Sequence, residues 1–166
     1  MAEPLTQKVT TFLWYESGAE EAARYYVSLL PDSRIVDVAR FGDEIGGSEG
    51  GAAVVRFTLG GVEYQAFDGG PGHPFTWAAS LVVLCEDQEE VDRLWEALIA
   101  DGGAPSQCGW LSDRWGLSWQ IVPRVLLELQ AGPDRARARR VNEAMLQMGK
   151  LDIAGLLAAA EAGQPA

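Results

Sequence analysis

The chain has 166 residues, 48% of them hydrophobic and 22% charged, with 24 acidic against 13 basic groups and a net charge of −11. That length suits one domain or two closely fused modules, the composition excludes wholesale disorder, and the negative charge opposes phosphate backbones and anionic lipid, so no nucleic acid partner is expected. The longest run without a charge, Gly69–Cys85, is broken by Pro71, Gly72, His73 and Pro74, and Met1–Lys8 lacks a secretory pattern, so no membrane partner and a cytoplasmic location are expected.

In chain order, Val9–Trp14 reads as a strand from its β-branched and aromatic residues, and Ser17 with Glu20 reads as a capping box opening a helix that runs to about Leu30. Arg34–Phe41, Ala53–Leu59 and Val62–Asp68 read as strands, with Gly60-Gly61 as a hairpin turn and Asp43–Gly51 as a mobile loop. The pattern then repeats at an offset of about 70 residues. Ser80–Cys85 reads as a strand, Asp87 and Glu90 as a capping box, and Val91, Leu94, Trp95, Leu98 and Ile99 as a helix that Gly102-Gly103 ends. Ala104–Leu111, Asp113–Trp115 and Leu117–Val122 take the places of the three later strands, so both halves read β-α-β-β-β. Trp95 and Tyr25 are repeat equivalents expected on the inner helix faces.

Beyond Pro123, Val125–Leu129, Asp134–Met148 and Ile153–Ala160 behind Asp152 read as helices, with the last five residues frayed. The fold class expected is α+β: 1–123 as paired modules at about 6–70 and 75–123, and 124–166 as a helical extension of the same domain. Residues 1–123 hold 7 basic and 19 acidic groups, whereas 124–166 hold 6 and 5. Arg135, Arg137, Arg139 and Arg140 are therefore read as a docked or solvated helix face. Cys85 and Cys108 are expected to be free thiols.

Three segments carry a family resemblance: Phe12–Ile35 (FLWYESGAEEAARYYVSLLPDSRI), Cys85–Trp95 (CEDQEEVDRLW) and Gln107–Pro123 (QCGWLSDRWGLSWQIVP), with Lys150–Ile153 extending it over nearly the whole chain. They resemble the PhnB-like, 3-demethylubiquinone-9 3-methyltransferase-domain family of the vicinal oxygen chelate superfamily, which includes glyoxalase I, extradiol dioxygenases and bleomycin resistance proteins. The resemblance implies paired modules whose strands curve into a cup, a homodimer, and ligand held on the concave mixed sheet. Metal enzymes of the superfamily place four ligands on the first and last strands of the modules. Counting from the helices puts two of these positions at Thr11 and Ser80, and the last strands put the other two at Gln65 and Gln120; a slip of one residue would offer Thr10, Phe12, Tyr64, Ala66, Ala79, Leu81, Trp119 or Ile121, none a good metal ligand.

Two hydroxyls and two neutral amides are poor ligands for a transition metal, so no metal and no cofactor are expected. The same positions suit hydrogen bonding. Strand alternation places Val9, Leu13, Phe67, Val82, Leu84, Ser118 and Val122 with them, giving an apolar cup with a few polar groups for a small apolar or aromatic ligand, to which Trp110 and Arg114 are added from the turn of the second module. The alternative is a closed interior in which the four polar residues satisfy one another. Asp113–Gly116 reads as a polar-aromatic turn whose arginine could clamp a carboxylate or a ring, or simply set the hairpin. Gly69-Gly-Pro-Gly72 precedes a strand and not a helix, which disfavours a nucleotide or S-adenosylmethionine turn. No catalytic residue is named by these patterns. The other readings are a glyoxalase- or dioxygenase-type enzyme, the methyltransferase of the family name, and an interaction module using the basic tail.

Overall fold

β-Branched and aromatic residues make β1 (Thr11–Tyr15) a strand that buries Leu13 and Tyr15 on one face, and it pairs in parallel with β4 (Val62–Asp68), the last strand of its module. This is seen in a computed structural model, which describes residues 6–41 and 53–162; the expected 43–51 loop and residues 163–166 lie outside the described residues. Between the paired strands come α1 (Ala19–Leu29), β2 (Arg34–Arg40) and β3 (Ala53–Leu59), giving the sheet order β1-β4-β3-β2. The β3–β4 hairpin turns through Gly60 and Gly61 at φ 53° and 79°, values that glycine adopts without a Cβ penalty.

The second unit repeats the plan with β5 (Leu81–Cys85), α2 (Gln88–Ile99), β6 (Ala104–Pro105), β7 (Trp110–Ser112) and β8 (Ser118–Pro123), in the order β5-β8-β7-β6. Its later strands are shorter than the sequence suggests. Cys108 and Gly109 adopt φ of 56° and 82°, which breaks Ala104–Leu111 into two strands, and Asp113–Trp115 is the turn before β8 and not a strand. After β8 come α3 (Arg124–Ala131), α4 (Arg135–Met145) and α5 (Ile153–Glu161). The chain divides into compact units 1–74 and 75–166, so these three helices belong to the second.

One face of each sheet is covered by its helix. In the first unit Ala19, Ala22, Ala23 and Tyr26 of α1 are buried with Leu13, Tyr15, Val55, Phe57 and Ala66, and the Tyr15 and Tyr26 hydroxyls meet at 3.1 Å. Tyr26, and not Tyr25, is therefore the repeat partner of buried Trp95. In the second unit Val91, Leu94, Trp95 and Leu98 are buried with Leu111, Trp119 and Ile121. The helical extension has its own core of Val122, Leu126, Leu129, Val141, Leu151, Leu156 and Ala160. Arg140 ties α4 to α5 by donating to the carbonyls of Ala159 and Ala160, at the helix end where a cation is favoured.

The caps differ between the modules. Asp87 accepts from the Glu90 amide at 2.9 Å, as the capping-box spacing implies, while Glu90 reaches one residue further back and accepts from the Glu86 amide at 2.8 Å. Ser17 does not cap α1; Gly18 at φ 83° holds that place, and Asp68 at the end of β4 accepts from the Ala19 amide at 2.7 Å. Glu20 instead binds Arg24 and Arg40, and the Arg24 bond leads in holding its carboxyl below the usual range.

Two outcomes test this packing. The Trp14 indole lies against Gly69, where an added Cβ would stand 2.2 Å from the ring, so Gly69→Ala should lower stability by about 2 kcal/mol in chemical denaturation. An unchanged midpoint would contradict the packing of the linker on Trp14. Burial pushes the Cys85 thiol up to about 12, keeping it protonated at neutral pH, whereas Cys108 is partly exposed. A chromogenic disulfide reagent at pH 8 should modify Cys108 in the native protein and reach Cys85 only after unfolding.

Candidate functional site

The face of the second sheet away from its buried core is defined by register. Val82 stands opposite Gln120 and Leu84 opposite Val122, while Trp110 faces Gln120 and Ser112 faces Ser118 on the other side of β8. Ser80, Val82, Leu84, Trp110, Ser118 and Gln120 therefore share one face, as the alternation predicts. The Gln120 side-chain amide donates to the Ser80 hydroxyl at 2.9 Å. Trp77, 51% exposed, meets Trp110 edge-on with centroids 6.1 Å apart. Next to this pair lies an open cleft of about 340 Å³ lined by Phe75, Thr76, Trp77, Ser112, Gly116 and Ser118. The Ser118 hydroxyl donates to the Thr76 carbonyl at 3.3 Å and so fixes the cleft floor to its rim.

The first sheet carries the same polar pair one residue from where helix counting puts it. Phe12 stands opposite Gln65 and Trp14 opposite Phe67, and the Gln65 amide donates to the Thr10 hydroxyl at 3.1 Å. Thr11 and Leu13 stand opposite Tyr64 and Ala66, on the face that packs toward α1, so they leave the predicted cup. The reason is local. Three residues separate β1 from α1 but two separate β5 from α2, and Gly18 in its left-handed conformation takes up the extra residue. A shift of one residue along a strand exchanges its faces.

Thr10, Phe12 and Trp14 thus replace Thr11 and Leu13 beside Gln65 and Phe67. Trp14 meets Phe67 and His73 edge-on, with centroids 5.2 and 4.8 Å away, and its indole N–H donates to the Gly70 carbonyl at 2.9 Å. His73 is therefore part of the packing around Trp14.

Arg114 does not reach the open face. Its guanidinium pairs with Asp101, just past α2, at 3.1 Å and lies 4.2 Å from the Trp115 ring centroid. The turn is set by Asp113, only 3% exposed, whose carboxylate accepts from the Trp115 and Leu117 amides and from the Trp119 indole at 2.9 to 3.0 Å. The hairpin-setting reading of this motif is the one the geometry matches. Sequence reasoning also missed Phe75, Thr76 and Trp77, which open the second module ahead of β5; a tryptophan just before a strand of the repeat is the signal that marks them.

The donor set does not fit a catalytic metal. Thr10, Gln65, Ser80 and Gln120 supply neutral oxygens, both hydroxyls already accept an amide N–H, and neither charge nor imidazole is added. Among the described residues no three His, Cys, Asp or Glu side chains are placed to hold a metal ion.

Comparison with known proteins identifies the family and the fold. The family model described as 3-demethylubiquinone-9 3-methyltransferase matches residues 7–122, not the nearly whole chain expected from Lys150–Ile153, so α3–α5 lie beyond it. A Bacillus cereus structure described under the same family name and as PhnB protein is 39% identical, covering 70% of this chain and 99% of its own, with a TM-score of 0.63. The structure of protein PA1353 from Pseudomonas aeruginosa shares the fold at 19% identity, 71% and 98% coverage and a TM-score of 0.58. No curated protein matches. With its two βαβββ units in the glyoxalase-like fold, the chain belongs to the PhnB-like, 3-demethylubiquinone-9 3-methyltransferase family of the vicinal oxygen chelate superfamily.

Proposed function

We propose that the open face of the second unit binds a small, flat, largely apolar molecule bearing a carbonyl or hydroxyl oxygen, without a tightly bound metal. The observation that carries this is the Gln120–Ser80 pair standing beside the Trp77–Trp110 corner and its cleft. A glutamine that donates one N–H to a serine leaves the serine proton and the glutamine carbonyl for a ligand, so a donor and an acceptor stand side by side. The aromatic edges supply the apolar contact that such a ligand needs. Thr10–Gln65 repeats the pair beside Phe12 and Phe67 and supports a related surface on the first unit.

A hydroxyl and an amide do not titrate near neutrality, which supports orientation of a ligand over proton transfer by these groups. Methyl transfer, suggested by the family name, would need a site for S-adenosylmethionine, yet in the glycine-rich Gly69–Gly72 stretch the Gly70 carbonyl accepts from Trp14. A homodimer in the cytoplasm completes the reading. Phe12 and Val82 expose 51% and 53% of their surface on the open faces, and both cysteines are free.

Titration with chromone, a flat two-ring ketone, followed by tryptophan emission and calorimetry, tests the site. Saturable binding is expected, with Gln120→Leu and Ser80→Ala each weakening it about tenfold, the loss of about 1.4 kcal/mol that one hydrogen bond in a dry site represents. Arg114→Ala and excess EDTA should leave affinity unchanged, and S-adenosylmethionine should not saturate. Equal affinity in the Gln120 and Ser80 variants would overturn the siting, and loss of binding in EDTA would restore the metal.

A further inference from the structure

We propose that α3–α5 limit the length of ligand that the second unit accepts, by roofing one end of its open face; this rests on the binding reading above. Along β8 the open face presents Ser118, Gln120 and Val122, and along β5 Ser80, Val82 and Leu84. The two ends differ in what covers them. Ser118 and Ser112 border the open cleft, whereas Val122 is a member of the core of the helical extension and Leu84 packs against that core. Val82, between them, is 53% exposed. Strands rise roughly 3.3 Å per residue, so Ser118 to Val122 spans about 13 Å, with Val122 at the far end packed among the helices. A ligand seated on Gln120 and Ser80 can extend toward the cleft but meets the roof in the other direction.

The roof is fastened at two places, which makes it a wall of the site. At the β6–β7 connection the Cys108 and Gly109 amides donate to the Met148 and Gly149 carbonyls, both at 2.8 Å. At the start of α2 the Gln88 side chain donates to the Leu151 carbonyl at 3.1 Å and accepts from the Ile153 amide at 2.8 Å, and Lys150 pairs with Asp92 at 2.7 Å. The family match stops at residue 122, so this wall lies outside the matched module.

The test compares chromone with flavone, which carries the same two rings plus a phenyl group. The full chain should bind chromone at least about tenfold more tightly than flavone, and Leu84→Ala, which removes the side chain where the open face meets the roof, should raise flavone affinity about tenfold while leaving chromone within about twofold. Leu84→Val gives a smaller change in the same direction and serves if the alanine variant does not fold, as checked by circular dichroism. Equal binding of the two ligands by the full chain, or a Leu84 variant that shifts both affinities together, overturns the length limit and leaves the binding reading standing. Failure of both ligands to bind overturns the binding reading and the limit with it.

Discussion

The parallel pairing of the first and last strand in each module is the constraint on which the rest depends. It sets which side chains of β1 and β5 face the helix and which stand on the open side, and with a period of two there is no intermediate choice. In both units the same outcome follows: a hydroxyl at the foot of the first strand lies next to a glutamine on the last, at 3.1 Å for Thr10–Gln65 and 2.9 Å for Ser80–Gln120. Two local sequences with little else in common converge on this pair because the strand pairing, not the surrounding residues, brings the positions together. Where other members of the superfamily can place charged ligands, this chain places neutral ones that satisfy each other and keep hydrogen-bonding capacity outward.

Much of this was legible in the sequence, and the errors have physical sources. The repeat, the hairpin at Gly60-Gly61, the Asp87–Glu90 box and the helices beyond Pro123 all rest on local chemistry, which a sequence records directly. On the second sheet the face assignment of Ser80, Val82, Leu84, Ser118 and Gln120 follows from alternation alone. On the first sheet it failed at Thr11 and Leu13 because helix counting assumes equal connections, and Gly18 makes one of them a residue longer. Arg114 and Ser17 were misread for a related reason. Their partners, or the residues that take their role, are non-local: Asp101 lies thirteen positions from Arg114, and Asp68 replaces Ser17 at the start of α1 from the far end of the module.

The two units close the same end of their open faces with different material. Leu84 and Val122 are the counterparts of Trp14 and Phe67. In the first unit Trp14 fills that end itself, with Phe67 and His73 around it and Gly69 and Gly70 beneath. In the second unit the counterparts are smaller and three added helices supply the missing bulk. Large aromatic side chains and an appended helical layer are thus alternative solutions to one packing problem, the exposure of apolar strand ends that would otherwise face water.

The way the added layer is attached has a consequence for how its sequence can drift. Two of its fastenings run from backbone to backbone, from Cys108 and Gly109 to Met148 and Gly149, and Gly109 also accepts from the Ile121 amide. Such bonds survive most changes of side chain. The exception is Gly109 itself, at φ 82° and with the Ile121 carbonyl 2.8 Å from where a Cβ would sit. Side-chain change should therefore be tolerated along much of this seam and least at Gly109, where backbone conformation and space both exclude a Cβ.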